Sequence, residues 1–296
     1  MLRRILLASN AVVAFAGTAF AADLTPPPPP PPPVPVWTGF YAGVNAGYEW
    51  AADRSVNTFA APVFAAPAWS TELALSTALA TGSNSLNPNG FIGGGQIGYN
   101  YQLFTTNWVA GIEGDIQGIA GSRPSSSFSG SGVPADLPGE TIVSTVTSTK
   151  QLNYLGTVRG RFGYLLMPAL LIYGDGGLAY GGVKASTGIL QANMPFAPPF
   201  ASGGSLSNTQ VGWSAGIGLE WMFLPNWSLK AEYLYYDLGK VTYTLSPLAF
   251  SSPTFGSALL YASAPFSSTR FNGSVVRAGI NYHFNWGAPA PIVAKY

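Results

Sequence analysis

The sequence contains no cysteine, one histidine and only 8% charged residues in a chain of 296. Without thiols there can be no disulfide, no thiol nucleophile and no cysteine-based metal centre. One histidine, His283, gives little scope for acid–base chemistry, since a catalytic site needs a nucleophile, a base and a group that orients the base. The charge fraction is about a third of that in an ordinary soluble domain. The few Lys and Arg are scattered, so nothing supports a nucleic-acid partner. A chain that is 47% hydrophobic and almost uncharged suggests a membrane protein. Past residue 21, however, no apolar run approaches the ~20 residues that a helix needs to cross a bilayer. What remains is a chain that crosses as strands.

What is present starts with a leader. Arg3 and Arg4 precede the apolar stretches Ile5 to Leu7 and Ala11 to Ala16, which end in Ala19-Phe20-Ala21. A basic start, a short apolar core and small residues at the cut predict an export signal removed after Ala21. Pro26 to Pro33 is an unbroken proline run, which holds a stiff extended form and acts as a spacer. The expected organisation is a signal peptide over 1–21, a proline-rich periplasmic spacer over 22–36, a barrel over 37–284 and a C-terminal periplasmic tail over 285–296.

From Trp37 onward the pattern alternates. Phe40, Ala42, Val44, Ala46, Tyr48 and Trp50 share one face, and Tyr41, Gly43, Asn45, Gly47 and Glu49 share the other, a period of two that predicts a strand with one apolar side. Seven further runs follow at about 89–103, 108–120, 151–165, 169–184, 209–223, 227–239 and 271–284, each long enough to cross a bilayer as a tilted strand. Three connections are tight (104–107, 166–168, 224–226). The four between them, 51–88, 121–150, 185–208 and 240–270, are long and rich in Ser, Ala, Pro and Gly. This strict alternation belongs to outer-membrane barrels, with short periplasmic turns and long external loops. The expectation is therefore an all-β fold, an eight-stranded antiparallel transmembrane up-and-down barrel.

The few charges oppose the apolar face, which must then meet lipid. Trp37, Trp108 and Trp227, with Phe284, fall at predicted periplasmic ends and form the expected aromatic girdle. Glu113, Asp115, Arg159, Arg161, Asp175, Glu232 and Arg277 fall on the inner face at similar depth. A bore of eight strands is only wide enough to be filled by side chains, so these groups should pair as a structural plug; the functional alternative is a selectivity constriction. Lumen-side glycines such as Gly216 are expected to accept a serine, whereas lipid-side Ile217 should reject an arginine. Trp69 and the apolar stretch Leu73 to Leu79 are expected to pack within their own loop. Gly93-Gly94-Gly95-Gln96-Ile97-Gly98 has the spacing of a dinucleotide fingerprint, but Tyr99-Asn100-Tyr101 continues the strand where that motif requires a helix.

Three segments carry a family resemblance: Trp37-Thr38-Gly39-Phe40-Tyr41-Ala42-Gly43 after the proline spacer, Gly156-Thr157-Val158-Arg159-Gly160-Arg161-Phe162-Gly163-Tyr164, and Leu229-Lys230-Ala231-Glu232-Tyr233-Leu234-Tyr235-Tyr236-Asp237-Leu238-Gly239. They resemble the small alphaproteobacterial outer-membrane β-barrel family of the RopB and outer-membrane immunogenic protein type. The likeness covers the strands from Trp37 to Phe284 and not the long loops. It implies an eight-stranded barrel acting as surface antigen, envelope stabiliser or adhesin. Some relatives bind heme, an activity that does not transfer residue by residue. Arg277, Gly279, Tyr282 and Phe284 resemble the terminal insertion signal of such barrels, although this chain continues past Phe284 to Tyr296. The implied partners are outer-membrane lipids and lipopolysaccharide, the barrel-assembly machinery during insertion, and a host or envelope surface partner of unknown identity. No enzyme activity and no cofactor are expected. The competing functions are a narrow porin-like channel and loop-mediated ligand binding.

Overall fold

The computed structural model describes residues 36–103, 106–121, 123–195, 198–252 and 256–284. The expected signal peptide, most of the proline spacer and the C-terminal tail lie outside them. The elements are β1 (Gly39–Ala51), β2 (Ser55–Ala65), α1 (Ser70–Ala80), β3 (Gly82–Ser85), β4 (Gly90–Gln102), β5 (Trp108–Gly121), β6 (Ser125–Gly132), β7 (Thr141–Met167), β8 (Leu170–Met194), β9 (Phe200–Leu224), β10 (Trp227–Thr244), β11 (Leu248–Ser252) and β12 (Ala258–Phe284).

All pairings among these strands are antiparallel, and they run β1-β4-β5-β7-β8-β9-β10-β12, with β12 returning to β1 from Phe40 opposite Phe284 to Ala51 opposite Gly273. The sheet thus closes on itself and its central circuit has no free edge. Its strand total is twelve, not the eight expected from sequence. The additional strands β2, β3, β6 and β11 occupy segments read as loops. Beyond the short-turn half, β7 and β8 continue their ladder up to Thr141 opposite Met194, and β2 joins β12. The Thr- and Ser-rich alternation Thr141 to Thr149 is a strand whose apolar residues are sparse, which is why a search for greasy faces missed it. The segment Leu73 to Leu79 is helical, and Leu73 lies in one cluster with Ala65 and Trp69 of its own segment and with Phe250, Leu260 and Tyr261 from others.

The wall changes character along its length. On the outer face of β9, Val211, Trp213, Ile217, Leu219, Trp221 and Phe223 are exposed and apolar, whereas Ser205, Ser207 and Thr209 continue the same row toward the long-loop end. On β7, exposed Val158, Phe162 and Tyr164 give way to Asn153, Gln151, Thr149 and Thr147. The interior shows the reverse order: charged and amide groups lie behind the apolar band, and a core of Val146, Leu152, Val183, Ile189, Leu238 and Val241 lies behind the hydroxyl-rich wall.

Candidate functional site

The inner face behind the apolar band is the candidate site. Alternation turns Glu113 and Asp115 of β5, Arg159 and Arg161 of β7, Glu220 of β9, Lys230 and Glu232 of β10 and Arg277 of β12 inward, all of them buried. The register places opposite charges side by side: Glu113 faces Arg159, Arg161 faces Asp175 of β8, Glu220 faces Lys230, and Glu232 faces Arg277. Such pairs stabilise adjacent strands, and like charges there would oppose them.

Arg159 is the hub. Its guanidinium meets Glu113 at 2.8 Å, Asp115 at 2.8 Å, Asp175 at 2.7 Å and, across the bore, Glu232 at 2.5 Å. Arg277 closes the circle, reaching Glu232 at 2.6 Å and Asp115 at 2.9 Å. Lys230 donates to Glu113 at 2.6 Å. Arg161 turns toward the short-turn end, meeting Glu220 at 2.6 Å, donating to the Tyr41 hydroxyl at 2.8 Å and stacking on the Tyr173 ring at 3.9 Å. The Tyr41 hydroxyl in turn donates to Glu113 at 2.7 Å. Asn281 links this network, through Glu220 at 2.8 Å, to the amide chain of Gln96 and Asn45. Glycines make room for the rings: a Cβ on Gly98 would lie 2.3 Å from the Tyr41 hydroxyl, and one on Gly218 2.4 Å from the Tyr173 ring.

Taking ions out of water costs several kcal/mol each, recovered only where geometry is good and the remaining polar atoms are bonded. Here Glu113, Asp115, Asp175, Glu220 and Glu232 each touch at least one of Arg159, Arg161, Lys230 and Arg277. Five carboxylates and four cations share this volume, and its two neighbours along the bore are apolar. Toward the short-turn end lie Trp37, Val109, Leu165, Leu171, Tyr173 and Met222. Toward the other end Leu155, Leu234, Tyr236 and Val275 begin the larger core.

The structure brings together all seven charged residues picked from the sequence. Trp37 is a correction. Expected in the lipid-facing girdle, it is fully buried, its indole N–H donating to the Pro168 carbonyl at 2.9 Å. Its position just before β1 lets the chain turn in under the barrel end, where a large ring fills the bore. Trp108 and Trp227 do face outward, stacked or edge-on with Phe162 at 5.0 Å and Tyr282 at 5.1 Å. Lys230 was missed although it shares the face of Ser228 and Glu232, so alternation alone would have found it. Glu220 shares the inner face of Gly216 and Gly218, but its link to Arg161 on β7, past the intervening β8, has no sequence signal. Tyr41 was equally hidden, an aromatic residue among small polar ones. Of the insertion-signal residues, Arg277 and Gly279 point inward and Tyr282 outward, on the strand that pairs with β1.

Comparison with known proteins gives a family. A model described as an outer membrane protein β-barrel domain matches residues 11–284. The 31 kDa outer-membrane immunogenic protein of Brucella melitensis is 33% identical over 96% of this chain and 100% of its own. A 22 kDa outer membrane protein of Rhizobium leguminosarum is 31% identical over 53% of this chain and 58% of its own. Among solved structures, the Neisserial surface protein A aligns over 83% of this chain and 98% of its own at 12% identity and a TM-score of 0.33.

Proposed function

The chain belongs to the family of outer membrane protein β-barrel domains and resides in the outer membrane; from that premise we propose that it is a sealed, non-conducting anchor that displays a rigid β-structured head at the cell surface. In this reading the closed circuit of eight strands β1-β4-β5-β7-β8-β9-β10-β12 spans the bilayer. The short turns are periplasmic, and the extended halves of β7, β8, β9 and β12, with β2, β3, β6, β11 and α1, form the head outside. The observation that carries it is the inversion of polarity along one continuous wall. The outer row Val211 to Phe223 on β9 is about 40 Å long at ~3.3 Å per residue, or roughly 30 Å along the membrane normal at a tilt of ~40°. That matches the hydrocarbon thickness of ~30 Å. Above it the wall is built as in a soluble protein, hydroxyls out and aliphatics in.

The bore behind that band is filled three times over, by the Trp37 cluster, the charge network and the Leu155 to Val275 layer. Filled bores suit an anchor and oppose a porin. Loop display accords with the outer-membrane immunogenic naming of the relatives. Tyr282 and Phe284, with Arg277 and Gly279, serve in the same proposal as the signal read by the assembly machinery. Planar-bilayer recording on the purified, refolded chain tests it: no stable unitary steps are expected. Reproducible single-channel steps would overturn the sealed-anchor reading in favour of a channel.

A further inference from the structure

The end of the head farthest from the short turns holds buried polar groups that their surroundings leave unfinished. One face of α1 lies against β7 and β8, and at Ser76 the contact is closed. The Ser76 hydroxyl donates to Gln191 Oε1 at 2.6 Å, and the Gln191 amide donates to the Ser76 carbonyl at 2.9 Å and the Ser144 hydroxyl at 3.1 Å. One helical turn earlier stands Glu72, on the same face because residues four apart stack along a helix. Two residues further along β8 stands Asn193, on the same side of its strand as Gln191. Here the bonding stops short. Glu72 and Asn193 are fully buried, yet Glu72 Oε1 and Asn193 Oδ1 have no hydrogen-bond partner among the described residues, and neither has the buried Tyr261 hydroxyl. Tyr261 shares this corner: burial, and then the charges of Glu72 and Glu140, hold its hydroxyl above the usual phenol range.

Three carboxylates border this corner, and no cation answers them. Asn193 donates through Nδ2 to Glu140 Oε2 at 2.8 Å, which leaves its oxygen as the free end of the amide. The Thr71 hydroxyl lies against both Glu72, at 3.0 Å, and Asp136, and its one hydrogen cannot fully serve two acceptors. Each lumen carboxylate touches a cation; among the described residues, none of Glu72, Asp136 and Glu140 does. Buried carboxylates are stable only when paired or bound to a metal. A proton on Glu72 would satisfy one oxygen and leave Asn193 Oδ1 without a donor, whereas a cation satisfies both. The candidate ligands are all oxygens, in a chain with no thiol and with its one imidazole, His283, at the opposite end of the barrel. Oxygen sets of this kind select hard divalent cations. Among the described residues no three acidic side chains close on a single point, so two carboxylates share the shell with neutral oxygens and water. Calcium accepts such an irregular set of about six to eight oxygens, while magnesium demands a near-ideal octahedron.

We propose that Glu72 and Asp136, with the side-chain oxygen of Asn193, bind a calcium ion at the tip of the head, and that Glu140 orients Asn193 for it. The ion ties together the first turn of α1, the 133–140 turn and the end of β8, so the shape of the tip depends on the calcium around it. This site is separate from the lumen network and stands whether or not the bore conducts.

The test uses the full mature chain refolded in a neutral maltoside detergent without chelators, titrated with calcium chloride in a calorimeter. One saturable site per chain is expected, with the affinity of extracellular calcium modules, Kd about 0.1 to 1 mM, and with magnesium binding more weakly. Asp136→Asn, at an exposed position, and Glu72→Gln, which keeps the shape and removes the charge, should each weaken binding by at least about tenfold. Heat-modifiable migration on gels reports separately that both variants fold. Terbium, which occupies calcium sites, should show emission sensitised through Trp69, whose ring centroid lies 6.4 Å from that of Tyr261, and Trp69→Leu should lower it. No saturable binding up to about 10 mM, ten times the weakest affinity expected, would overturn the site. So would unchanged binding in either charge variant, or terbium emission indifferent to Trp69→Leu. Magnesium binding as tightly as calcium would overturn the choice of ion. Single-channel steps in bilayer recordings, by contrast, would sink the sealed-anchor reading and leave this site in place.

Discussion

Arg159 and Glu113 face each other in register across the β5–β7 seam, and their side chains meet at 2.8 Å with both buried. The pair is one spoke of a hub, because Arg159 also holds Asp115, Asp175 and Glu232. Its removal strands several carboxylates at once.

Arg159→Ala is therefore expected to cost 3 to 5 kcal/mol, on the order seen when one partner of a buried pair is deleted. Glu113→Ala added to it should recover about 1 to 2 kcal/mol, within the usual coupling range for contacting residues. A double-mutant cycle by urea unfolding in micelles measures this. Strictly additive losses would show that the two side chains act independently.

Trp37 and Trp108 make a paired test of the corrected girdle. Buried Trp37 fills the short-turn end of the bore, so Trp37→Ala should cost about 3 to 5 kcal/mol in the same unfolding assay. Trp108 lies on the outer face, and Trp108→Ala should cost much less. Equal losses would place Trp37 outside the bore.

The lipid face and the lumen face differ in kind. Ile217 is 56% exposed on the outer face, and Ile217→Arg should cost ~2 to 4 kcal/mol at mid-membrane, while Ile217→Val should cost little. Gly216→Ser, expected from sequence to be harmless, is not: a Cβ there would stand 2.7 Å from the Tyr233 carbonyl and 2.8 Å from Asp175. It should destabilise measurably, and a neutral Gly216→Ser would mean that this seam has slack.

A pH dependence follows from Lys150, which lies beyond the apolar band. Burial pushes its ammonium down to about 8, although Asp53 and Glu49 oppose the shift. The unfolded chain holds its proton up to ~10.4. Between these values the unfolded state binds more protons, so this group makes stability rise as pH goes from about 8 to about 10.4 and withdraws that gain as pH falls back through 8. The full rise is of order 3 kcal/mol. Lys150→Met should remove that rise, seen as the difference between the two proteins' urea midpoints across the window. Parallel curves would show that Lys150 is hydrated.

The period-two pattern by itself determined the spanning runs, their tight turns and which face meets lipid, because a pleated strand puts alternate residues on opposite sides and the membrane makes the two sides chemically opposite. It likewise picked out Arg159, Glu113 and the other inward charges. Where the wall leaves lipid, that contrast fades. Thr145, Thr147 and Thr149 alternate with Ser144 and Ser148 as well as Val146, so the long-loop strands and the strand total of twelve came only from tertiary pairing. Tertiary structure alone also decided that Trp37 turns inward and that Arg161 reaches past β8 to Glu220. These are relations between residues far apart in sequence, set by barrel closure and register, and no local period encodes them.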